Sequence, residues 1–120
     1  MDSILESIKQ LLGVTPEYGA FDQEIMMHIN SALMVLNQLG VGSDGFSISG
    51  PDATWEEFLG EDATILNGVR SYIYAKVKLM WDPPTSAAIL EALNRTINEF
   101  EWRLNVQVEN AHYPDDTGGD

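Results

Sequence analysis

At 120 residues the chain is long enough for one core and too short for two. Its 44% apolar content is too high for a disordered chain despite a net charge of −13, and nineteen Asp and Glu against six Lys and Arg would repel a phosphate backbone at long range, which disfavours sequence-specific DNA binding. The absence of cysteine excludes a disulfide framework, a thiolate zinc site and a cysteine nucleophile.

The start, MDSILESIKQ, holds no apolar run long enough for a signal peptide, and no stretch reaches the ~18 residues of a membrane span, so no membrane partner is expected. Ser3 followed by Glu6 is a capping-box pair, and Ile4, Leu5, Ile8, Leu11 and Leu12 then recur at helical spacing up to Gly13. GVTPEYGA reads as a loop. Asp22 is the expected cap of a second helix that carries Ile25, Ile29, Ala32, Leu33, Leu36 and Leu39 on one face and stops at Gly40.

GVGSDGFSISGPDA, residues 40–53, reads as a long irregular connection with FSIS as its one candidate strand; loops of this length in compact domains make contacts or move. Thr54 and Glu57 form another capping box, opening a short helix that Trp55 and Phe58 pin to the body. A fourth helix is predicted over residues 63–81, ended by Asp82-Pro83-Pro84 because proline lacks an amide hydrogen and disfavours helix before it. Thr85 or Ser86 caps a fifth, over residues 86–108, with Ile89, Leu93, Ile97, Phe100, Leu104 and Val108 as its apolar stripe. So short a connection makes these two an antiparallel hairpin. The stripe is expected to pack on Ile65, Val69, Ile73 and the Ile29/Leu36 face. Residues 111–120, acidic and glycine-rich, read as a flexible tail after a helical domain of residues 1–110. The fold class is therefore all-α, a small helical bundle.

Several helices carry a second face. Trp102 lies opposite the stripe of its helix, among Glu91, Arg95 and Asn98, and Met27 and Met34, one heptad apart, project away from Ile25, Ile29 and Leu36. In the fourth helix Arg70, Tyr74, Lys78 and Trp81 form a ridge off the Ile65, Val69, Ile73 line, with Lys76 nearby. A packed helix or a lone exposed aromatic accounts for any one of these. Together, with Trp, Tyr and Arg among them, they suggest a protein that assembles, its basic residues meeting acids of neighbouring subunits.

Chemistry-bearing patterns are missing. His28 and His112 have no metal-ligand spacing, and Glu56/Glu57 and Asp115/Asp116 are adjacent pairs, not a catalytic dyad. Ser43-Asp44-Gly45 lacks the acidic alternation of a calcium loop, and no phosphate-binding loop or nucleophile elbow occurs. A binding or structural protein is expected, with no catalytic residue, metal or cofactor.

The order of SILESIKQLLG, FDQEIMMHINSALMVLNQLGVG, TWEEFLG, VRSYIYAKVKLMWDPP and INEFEWRLN resembles the small head-tail connector (adaptor, head-completion) proteins of tailed bacteriophages, over residues 3 to about 108. The resemblance implies a helical subunit of a homo-oligomeric ring, commonly twelve-fold, beneath the portal protein at the virion neck, assembled in the host bacterial cytoplasm. DNA passes through such a ring during packaging and ejection, and a stopper or other tail component docks below. On this sequence Met27, Met34, Arg70, Tyr74, Lys78, Trp81, Glu91, Arg95, Asn98 and Trp102 become candidate subunit contacts. Phe46 and Ile48 of the 41–53 loop, and His112, Tyr113, Asp115 and Asp116 of the tail, become candidate portal or tail contacts. The alternative from another class is an acidic DNA mimic, a monomer or dimer whose carboxylates imitate phosphates to block a nucleic-acid-binding protein.

Overall fold

In the structure, a computed structural model, residues 3–60 and 64–112 are described, with the backbone alone for residues 107–112. Ser3 stays extended, and its Oγ accepts from Glu6 N at 3.1 Å, opening α1 (Ile4–Leu12). Gly13, at φ 85°, closes it by donating to the last-turn carbonyls, a conformation that favours glycine because it lacks a Cβ. α2 spans Asp22–Gln38, α3 Trp55–Leu59, α4 Leu66–Trp81 and α5 Ala87–His112. The capping box of α3 is complete: Thr54 Oγ1 accepts from Glu57 N, and Glu57 Oε1 accepts from Thr54 N. Ser86 Oγ receives Ile89 N at 3.4 Å at the start of α5.

The all-α expectation holds. No strand forms among the described residues, where the sole β-type contact is an isolated bridge between Ser3 and Thr54. α4 is the central helix, against which α1, α2 and α5 all pack. Ile4, Leu5, Ile8, Ile25, Ile29, Leu33, Leu36, Val69, Tyr72 and Ile73 fill the core, closed by Trp55 and Phe58 of α3. Gly68 lets α5 approach, since a Cβ there would lie 2.5 Å from the ring of Phe100.

Four details differ from the sequence reading. Asp22 is the first helical residue and not the cap. Its carboxylate lies 2.7 Å from Nζ of Lys9, which is 1% exposed and also donates to Pro16 O at 3.0 Å and Tyr18 O at 2.9 Å. A buried ammonium needs every donor filled, and that demand draws Asp22 away from capping. FSIS forms no strand: an α2 side chain takes the backbone bonds of Ile48 within it, and a second ties down the turn before it. Asn30 exchanges two with Ile48 (2.8 and 2.9 Å), while Asn37, one heptad on, receives Gly45 N and donates to Ser43 O. α5 rests mainly on α4 and not on the Ile29/Leu36 face, which α4 and α1 cover. One supporting helix cannot shield a full stripe, so Ile97 and Leu104 are buried, Leu93 and Phe100 half-buried, and Ile89 exposed. Finally, α4 begins at Leu66, and α5 runs on through His112, two residues into the segment read as tail. The side chain of Val108, expected on the α5 stripe, lies outside the described residues.

Candidate assembly surfaces

The outward faces of α2 and α5 are the most conspicuous surfaces. Met27 and Met34 are 59% and 57% exposed, seven residues apart on the side of α2 away from Ile29 and Leu36. Ser31 sits between them with its Oγ turned back to Met27 O. On α5 Trp102 is 66% exposed, with Glu91, Arg95 and Asn98 all exposed on the same face. Among the described residues no other element covers the indole, so Trp102 is no part of the core they form.

The α4 ridge is arranged differently. Arg70 lies over the Trp55 ring, 5.6 Å from its centroid, and ties α4 to α3. Trp55 in turn donates its Nε1 to Ser7 Oγ on α1. Trp81 meets Phe21 edge-on at 5.2 Å and donates Nε1 to Glu24 Oε1 at 3.2 Å, and Phe21 meets Tyr18 edge-on at 5.5 Å, giving a half-exposed aromatic row beside the hairpin apex. Lys78 bridges Asp82 at 2.9 Å, four residues on. Tyr74 is half-buried against the core. All four ridge candidates thus have partners inside the chain. The fourth helix holds Lys76 too, 4.0 Å from Glu101.

Burial and the hydrogen bond to Glu101 Oε2, 2.6 Å long, push the Tyr72 phenol far above the usual tyrosine range, with the carboxylate's charge adding to the shift. Tyr72 therefore stays a neutral donor, locking α4 to α5 beneath the Phe100 ring.

Among the described residues no group of three or more His, Asp or Glu is placed to hold a metal ion, and no helix is long and apolar enough to cross a membrane. What the geometry offers is a rigid helical body with apolar faces turned outward. The family described as phage connector protein matches residues 4–111. The chain belongs to the phage connector proteins. No curated protein and no solved structure matches it. As a connector it is a structural component of the phage particle, of a family that assembles with head and tail components.

In the connector's 41–53 loop, Ile48 is 4% exposed and gripped by Asn30, so it is a core residue of the subunit and not a presented one. Phe46 is half-buried, its ring 5.2 Å from that of Phe58. The loop is pinned further where Ser43 N donates to Phe58 O and Ser43 Oγ to Glu57 O. The side chain of His112, and Tyr113, Asp115 and Asp116 entirely, lie outside the described residues. Sequence reasoning missed Lys9, Asn30 and Asn37. A lysine inside the α1 apolar stripe and two asparagines one heptad apart beside the α2 core face were the available signals.

Proposed function

We propose that this connector is a ring-forming subunit at the virion neck, between the portal protein and the next tail or stopper component, with twelve copies as the common number of its kind. Membership of the connector family over residues 4–111 carries the reading. The outward faces of α2 and α5 supply what lateral contact needs, namely apolar anchors with polar surrounds on a body that folds without them. The exposed part of the 41–53 loop around Phe46 and the segment after His112 are the axial elements, offered to the portal above and the tail component below. Assembly takes place in the host cytoplasm.

The charge of −13 has a use in such a ring. Carboxylates facing a central channel repel duplex phosphates, so DNA passes without adhering during packaging and ejection. The role is structural, without catalysis.

Particle images of the chain co-expressed with its portal protein test this directly. A closed ring stacked on the portal, with a central opening wide enough for duplex DNA, is the expected result. A chain that stays monomeric beside an assembled portal would overturn the proposal.

A further inference from the structure

We infer that neighbouring subunits join head to tail, the outer face of α5 in one copy lying on the outer face of α2 in the next, with Trp102 seated between the neighbour's Met27 and Met34. This rests on the ring reading above and assigns its lateral contact. A ring needs a heterologous interface, that is, two different patches on each subunit that fit each other. The fold supplies two such patches. α2 and α5 each pack on α4 and make no extensive contact with one another, and Met27 and Met34 on the one and Trp102 on the other stay exposed.

The chemistry of the two patches matches. Indole is a large flat surface of the type that anchors interfaces, and unbranched, polarisable thioethers adapt to aromatic rings. Spacing matches as well. Met27 and Met34 are seven residues apart, two helical turns, so a side chain of a helix laid alongside can sit midway between them. With the helices parallel and Trp102 level with the midpoint of the methionines, Arg95 falls level with Glu24.

Charge completes the fit. Of six cations, Lys9, Lys76 and Lys78 have carboxylate partners within the chain, and Arg70 is engaged with Trp55. Arg95 and Arg103, both exposed on α5, have no such partner among the described residues. On a chain of charge −13, the free arginines flank the one exposed tryptophan face. Glu24, exposed on α2 one turn before Met27, uses Oε1 for Trp81 and leaves its other oxygen open. A symmetric contact of α5 with α5 would instead set arginine against arginine and close a dimer.

The cysteine-free sequence makes the test clean. Ser31→Cys, between the methionines, and Asn98→Cys, one turn from Trp102, are introduced singly and together into the full chain and treated with a bismaleimide, both alone and with the portal protein. Head-to-tail pairing predicts a ladder of trimers and longer covalent chains from the double variant, while either single variant yields monomer. Arg95→Glu should abolish the ladder, and Glu24→Arg added to it should restore it. Rings in the particle images without a ladder would overturn this pairing and leave the ring reading standing. Crosslinked dimers from Asn98→Cys alone would show α5 meeting α5, again overturning it, and a chain monomeric under every condition would remove both proposals.

Discussion

Trp102 is a residue that the proposed assembly uses and the described core does not. Exposed, with no described element over it, it contributes little to monomer stability, so Trp102→Ala should leave the melt of the monomer within about 0.5 kcal/mol of wild type. Assembly, followed by light scattering, should weaken by about 2 kcal/mol or more. Lys9 is the opposite case. Lys9→Met leaves Asp22 and two carbonyls without their ammonium and should cost about 3 kcal/mol, read from a denaturant titration, whereas a neutral result would show the site hydrated or relaxed. Tyr72 makes stability depend on pH. Its phenol is held neutral in the native state while the unfolded chain ionises it near pH ~10, so the contribution is whole below that pH and is lost as pH rises beyond it. Against Tyr72→Phe, the wild type should lose stability selectively above pH ~10, in melts run at matched ionic strength. The outward position of Trp102 was legible from helical phase alone. The burial of Lys9 was not, because its partners come from a loop whose path no periodicity encodes.

At the scale of elements, local signals served where a helix carries its own cap and stripe. Ser3, the Thr54/Glu57 box and the Pro83-Pro84 stop lie in the sequence next to the turns they control. Pairing of elements was less legible, since a stripe states that a face is buried but not by what. α5 is the instance: its row reads as a full core face, yet among the described elements α4 is its main support. Ile97→Ala should therefore cost about 2–4 kcal/mol, and Leu93→Ala, at a half-buried position, no more than about 1–2 kcal/mol. Equal losses in parallel melts would mean that a second element covers the stripe. The 41–53 loop is irregular as its composition suggested, but its strand candidate failed for a related reason. The Asn30 amide takes both backbone bonds of Ile48 in place of a ladder, Asn37 holds the turn before it, and Gly42, at φ 82° with the Phe58 ring where a Cβ would stand, fixes the loop's entry.

At the scale of the molecule, the bundle class, the hairpin and the family pattern could be read from residue order, because each repeats a local signal along most of the chain. The energetics of assembly have a global term too, and it opposes contact. Subunits of charge −13 repel one another, and the reach of that repulsion is set by salt: the Debye length is about 30 Å at 0.01 M and about 8 Å at 0.15 M ionic strength. The molecule measures 56 × 35 × 20 Å, so at low salt the whole charge of one subunit is felt by the next, and at physiological salt only the groups near the seam are. In the proposed contact the burial of Trp102 on Met27 and Met34 would not be screened, and an Arg95–Glu24 pair at close range would be weakened least by salt. Raising salt from 0.01 to about 0.15 M should therefore promote assembly, the reverse of what a basic, nucleic-acid-binding ring would do. Sedimentation velocity at fixed subunit concentration across that range measures it. A weight-average mass that falls as salt rises would mean that short-range ion pairs, and not the buried tryptophan, dominate the contact between subunits.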